Sequence, residues 1–153
     1  MDADVIADIR RFNRRYTNIL GVLNRHVLDT GYTFTEARVI IEIGLNGACI
    51  ANTLVDALNI DRSYMSRIVN KLCKEGLLVK ESSNTDQRIS LLRLTPKGTE
   101  FYNQLNERSD EQIIRLFREL SAKEMKELHA SIMSIQKKLD KLERMERKPD
   151  DQI

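Results

Sequence analysis

Cysteine is nearly missing from this chain. Cys49 and Cys73 are the two in 153 residues, too few for a disulfide framework and without metal-ligand spacing. Histidine is as scarce: His26 and His129 stand far apart in sequence, so no metal site is expected. No apolar run approaches the roughly 18 residues needed to cross a bilayer, which argues against a membrane protein. The N-terminus, MDADVIADIRR, carries acids where a secretory signal carries a basic region, so a cytoplasmic location is expected. There is no glycine-rich phosphate loop, no clustered nucleophile and base, and no metal motif. The sequence therefore offers no catalytic residue, no cofactor site and little support for an enzyme. A large net charge is absent too, and the formal +2 says nothing by itself about nucleic acid.

What is present centres on IANTLVDALNIDRSYMSRIVNKLCKEG, from Ile50 to Gly76. Leu54 and Leu58 are apolar at i and i+4. After a break at Asn59-Ile60-Asp61, Met65, Ile68, Val69 and Leu72 repeat at helical spacing. This is the pattern of a helix-turn-helix, whose second helix enters the DNA major groove. With its apolar residues turned inward, that helix presents Ser63, Tyr64, Arg67, Asn70, Lys71 and Lys74, groups that bond phosphates and base edges. The plain alternative is a solvated basic face. From Asn59 to Lys97, eight basic residues face four acidic ones, which leaves +4 there and −2 on the rest of the chain. A basic segment on an otherwise slightly acidic chain fits a polyanion partner.

In chain order, Val5, Ile9, Phe12, Tyr16, Ile19, Leu20, Leu23 and Val27 describe one long amphipathic helix, with Gly31 as its stop. Thr33 and Thr35 are alternative N-caps for the helix TEARVIIEIG, and Thr33 with Glu36 makes a candidate capping box. Asn59, where glycine is usual, tolerates a left-handed backbone, and Asp61 can cap the helix after it. The period then changes to two. Residues 77–81 and 89–94 read as strands around the polar stretch 82–88, a wing with Arg88 at its base or flank. Arg88 could reach a minor groove, or pair with Asp86 and stiffen the loop. Thr95-Pro96 starts a further helix, expected to bury Phe101, Leu105, Ile113, Leu116, Phe117 and Leu120. Ser121 and Glu124 make a second capping box. Met125, Leu128, Ile132, Ile135, Leu139 and Leu142 then form a heptad seam.

Helix, helix, helix-turn-helix, two-stranded wing, helix, helix is the resulting order. With DRSYMSRIVNKLCKEGLLVKE, DQR and LTPKG, it resembles the MarR family of bacterial and archaeal transcription regulators, from about Asp8 to Leu142. DIRRFNRRYTNILGVL, TEARVIIEIG and IDRSYMSRI are similar to a subgroup in which some members carry an appended acetyltransferase domain. The chain ends at Ile153, so no acetyltransferase activity is expected. The resemblance implies a mainly α fold with a small β-wing, a winged helix-turn-helix over about 33–95 and dimerisation helices over about 5–30 and 97–145. It implies a homodimeric regulator, most often a repressor, on double-stranded DNA of pseudo-palindromic sequence. DNA contacts carried over by position are Arg62, Ser63, Tyr64, Ser66, Arg67, Asn70 and Lys71 on the recognition helix and Asp86 and Arg88 on the wing. Tyr64 could meet a thymine methyl or a phosphate, or simply cover the wing. Two positions depart from the pattern: Val55 replaces the usual alanine at the helix crossing, and Gln87 replaces a basic residue in the wing.

Family members commonly release DNA on binding a small phenolic or lipophilic effector. Tyr16, His26, Tyr32, Phe34 and Ile40 are the candidate pocket residues, with core or interface packing as the alternative. Cys73, on a helix flank, reads as a small buried residue rather than a redox sensor. A different class of function is a winged-helix module that docks protein without specific DNA binding. The cationic, hydroxyl-rich face weighs against it, because protein-docking faces are more apolar at the centre.

Overall fold

A computed structural model describes residues 1–82 and 89–146; for 22–28 it describes the backbone alone. Six helices and one hairpin follow in order: α1 (Ala3–Leu28), α2 (Phe34–Asn46), α3 (Ala51–Leu58), α4 (Arg62–Lys74), β1 (Leu78–Ser82), β2 (Ser90–Leu94), α5 (Pro96–Phe117) and α6 (Ala122–Glu146). Met1–Gln112 and Ile113–Ile153 are separate compact units. The fold is mainly α with a two-stranded antiparallel wing, as the element order in the sequence predicts.

Local chemistry sets each boundary in the first unit. Of the two threonines before α2, Thr33 is the cap. Its Oγ1 accepts the Glu36 N–H at 3.2 Å, and Glu36 Oε2 accepts the Thr33 N–H at 3.0 Å. Asn59 closes α3 at φ 51°, ψ 52°, the one non-glycine positive φ among the described residues. Ile60 turns into the core at this corner, and Asp61 Oδ2 accepts the Tyr64 N–H at 3.1 Å, capping α4. At the other end of α4, Gly76 at φ 78° makes a Schellman stop. Its N–H goes to Cys73 O, the Leu77 N–H goes to Leu72 O, and the Leu72 and Leu77 side chains are both buried. That stop consumes Leu77, so β1 begins one residue later than the alternation suggests.

The hairpin pairs Leu78 with Leu94 through Ser82 with Ser90. Cys49 adds a single bridge, exchanging both backbone hydrogen bonds with Leu92 and tying the α2–α3 connection to the wing. Ile40, Leu54, Met65, Leu72, Leu77 and Leu92 are fully buried where α2, α3, α4 and the hairpin meet. Thr95 then caps α5: its Oγ1 accepts the Gly98 N–H and donates to Gly76 O.

Burial along α5 departs from expectation. Of the six residues expected inside this helix, Leu105 is buried and Phe101 and Phe117 are half-buried, Ile113 and Leu116 are exposed, and Leu120 is exposed beyond the end of α5. No residue of α6 is buried, although its capping box forms, with Glu124 Oε2 accepting the Ser121 N–H at 2.8 Å. Val5, Ile9, Phe12 and Tyr16 of α1 are likewise exposed. Periodicity marks these faces as apolar, but a face is buried only where another surface covers it.

Candidate nucleic-acid interface

The inward stripe of α4 (Met65, Ile68, Val69 and Leu72) is buried, which leaves Arg62, Ser63, Tyr64, Ser66, Arg67, Asn70 and Lys71 on the outer face. Arg62, Ser63 and Ser66 have no intramolecular side-chain partner among the described residues. The Arg67 guanidinium lies 5.6 Å from the centroid of the Tyr64 ring, one helical turn earlier, which restrains its rotamers while leaving its donors outward. Asn70 Oδ1 accepts from Lys80 Nζ at 3.0 Å, linking the recognition helix to β1. A cleft of about 210 Å³ lies between α3, α4 and the hairpin. Met65, Val69 and Leu92 line it, with Asn52, Arg62, Ser66 and Lys80.

Lys71 departs from the sequence-based expectation of an outward cation. Its Nζ is 2.8 Å from Glu36 Oε1, and it sits 5.7 Å from the Tyr32 ring centroid. That pairing is what raises the Lys71 pKa. On the wing, Arg93 pairs diagonally with Glu81 at 3.1 Å. Asp86 and Arg88, the two wing contacts expected from the sequence, lie outside the described residues.

The four candidate pocket residues whose side chains are described are not brought together. Ile40 is fully buried in the hydrophobic core. Phe34 is exposed at the start of α2 with the Arg38 guanidinium 5.7 Å over its ring. Tyr16 stacks on Phe12 along α1, with ring centroids 5.5 Å apart. The His26 side chain lies outside what is described. Tyr32 lines a cavity of about 360 Å³ with Asp29, Thr30, Leu77, Lys97, Glu100, Phe101, Gln104 and Arg108, while Tyr16 lines a separate one along α1 with Arg11, Phe12 and Arg15. Lys97, Phe101, Gln104 and Arg108 were missed in the sequence, although their steps of four, three and four put them on one face of a helix. Burial, a hydrogen bond with Glu75 and the charges of Glu75 and Glu36 push the Tyr32 hydroxyl up to about 12.

Burial also raises both thiols, with Glu42 adding to the effect at Cys49 and Lys80 opposing it at Cys73. Neither cysteine has the electropositive setting that makes a reactive thiolate. Among the described residues no group of three or more His, Cys, Asp or Glu could hold a metal ion, and no helix is long and apolar enough to cross a membrane.

Residues 30–89 match the model of the MarR family. A candidate transcriptional regulatory protein for the hcr operon of Thauera aromatica is 33% identical over 95 residues, which is 62% of this chain. The HTH-type transcriptional regulator BilQ of Clostridium symbiosum is 26% identical over 98 residues, 64% of this chain and 68% of its own length. The match spans 51% of the Thauera protein, so the chain accounts for about half of that relative. These relatives are named as transcriptional regulators, none as an enzyme. Among solved structures, a candidate MarR family regulator from Listeria monocytogenes, complexed with 26mer DNA, superposes with a TM-score of 0.68 at 19% identity. It covers 95% of this chain and 97% of its own. Wild-type MarR of E. coli in its apo form gives 0.68 at 18% identity, over 88% and 97%. At such identities the likeness establishes the fold: this is the winged helix of MarR structures.

Proposed function

We propose that this chain is one subunit of a homodimeric MarR-type transcription regulator that binds a pseudo-palindromic operator and represses from it. The observation that carries the reading is the outer face of α4. Arg62, Ser63, Ser66 and the Tyr64-braced Arg67 are exposed together on a helix held by a buried core on its other side. Arginine there suits bidentate reading of guanine and serines suit phosphate oxygens. The family match over residues 30–89 and the DNA complex of the Listeria relative support the same partner. Asp86 and Arg88 complete the proposed contact set from the wing.

The uncovered apolar faces of α1 and α6 support the dimer. Each large aliphatic side chain taken fully out of water contributes ~1.5–3 kcal/mol, so two-fold pairing of these helices is strongly favoured. It would also place two recognition helices about one DNA turn, roughly 34 Å, apart. The cavity beside Tyr32, with Phe101 and Leu77 in its wall and both acids and bases at its rim, is where a small phenolic or lipophilic effector would bind.

Binding to duplex DNA across a salt series tests the reading. Affinity should fall steeply with salt, and a selected palindrome should bind at least ~10³-fold tighter than random duplex. A flat salt response, or equal affinity for both duplexes, would favour the protein-docking module instead.

A further inference from the structure

Lys71 lies on the face of α4 assigned to DNA, yet its ammonium is committed to the protein. Glu36 is the one charged side chain among the described residues that is buried, at 7% exposure. Its Oε2 is used by the Thr33 N–H in the cap of α2, and its Oε1 by Lys71 Nζ at 2.8 Å. A carboxylate so enclosed needs its cation, since removing one partner of a buried pair leaves an uncompensated charge. Holding Glu36 at that distance draws Lys71 Nζ toward α2 and competes with a reach outward to a phosphate.

The pair belongs to a larger brace. Lys71 sits over the Tyr32 ring, and Tyr32 packs on Phe101 of α5 with ring centroids 4.8 Å apart. Glu75, one turn beyond Lys71 at the end of α4, acts electrostatically on the Tyr32 hydroxyl. The C-terminal half of the recognition helix is thereby tied to the start of α2 and to α5. Its N-terminal half carries the groups with no internal partner.

We propose that Lys71 is a positioning residue and not a phosphate contact: its bond to Glu36 pins the far end of α4 and so sets where Arg62, Ser63, Ser66 and Arg67 meet the groove. Arg62 is nine residues from Lys71, about 13 Å along the helix axis. A tilt of a few degrees at the pin shifts the reading end by on the order of 1 Å, beyond the tolerance of a bidentate base contact. The role rests on the DNA-binding reading above and assigns this lysine within it.

Full-length wild type, Lys71→Met, Glu36→Gln, the double variant and Lys71→Gln are titrated with the same palindromic duplex over a salt series. Each is kept well below its thermal midpoint. Lys71→Met and Glu36→Gln should each weaken binding roughly ten-fold, and the double variant no further than either single. The slope of log affinity against log salt should stay at the wild-type value in all of them. Lys71→Gln keeps a donor for Glu36 and guards against loss of folding; it should bind within about three-fold of wild type, at an unchanged slope. A slope reduced by about 1 in Lys71→Met and Lys71→Gln, with Glu36→Gln binding as wild type, would overturn the proposal and make Lys71 a phosphate contact. Unchanged affinity in both single variants would also overturn it. Wild type without any salt-dependent duplex binding defeats the DNA reading itself, and the positioning role with it.

Discussion

At Tyr32, burial and nearby carboxylates act on one hydroxyl in the same direction. Both favour the neutral phenol, so its pKa is raised from 10.0 to about 12 in the folded protein. A raised folded value means that the contribution to stability is whole below pH 10 and is lost as pH climbs towards 12. Absorbance titration should therefore show one of the four tyrosines ionising late, and Tyr32→Phe should remove that late step. If all four ionise together, the raised value at Tyr32 is not there. Gly98 makes a second residue-scale case. A Cβ at this position would collide with the Leu77 carbonyl, a backbone atom that cannot rotate away. Gly98→Ala should cost roughly 2–3 kcal/mol in denaturant unfolding, as overpacking does. The same change at Gly21, where a Cβ meets nothing within 4 Å, should be neutral or stabilising through helix propensity.

At the scale of elements, α4 depends on both its ends. Asp61 supplies the N-cap, and Asp61→Ala should cost about 1 kcal/mol of stability through loss of that bond. The substitution should also loosen the helix end that carries Arg62 and Ser63, so operator affinity should fall with stability. Stability that falls while affinity holds would separate the cap from the reading surface. The opposite end is fixed by the Schellman turn at Gly76 and by the Lys71–Glu36 pair. The hairpin joins in through the Asn70–Lys80 bond and the Cys49–Leu92 bridge, so the wing and the recognition helix share supports.

For the whole molecule, the proposed dimer has a direct consequence. Leu139 is 52% exposed on α6, so Leu139→Lys should be harmless to a chain that works alone. In a dimer closed by the α6 seam, the same change puts two charges into an apolar interface. Sedimentation should then show a shift from dimer to monomer, with operator affinity lost because half-sites are no longer bound together. A variant that stays dimeric would exclude Leu139 from the interface.

Much of this molecule is legible along the chain, because caps, turns and amphipathic stripes depend on residues within four positions of each other. The Thr33–Glu36 and Ser121–Glu124 boxes, the left-handed Asn59, the Asp61 cap, the Thr95-Pro96 start and the inward stripe of α4 all form as their spacing implies. β1 starts one residue later than its alternation suggests because the helix stop before it claims Leu77. What the sequence by itself determined is therefore which face of each element is apolar and which is charged. Only the tertiary structure decided which distant groups those faces meet. Lys71 finds Glu36 across 35 positions, Ile40 goes to the core instead of a pocket wall, and Tyr32 faces Phe101 and Lys97 rather than Tyr16. Spacing sets the direction in which a side chain leaves its helix; the partner waiting there depends on how the helices cross, and packing settles that.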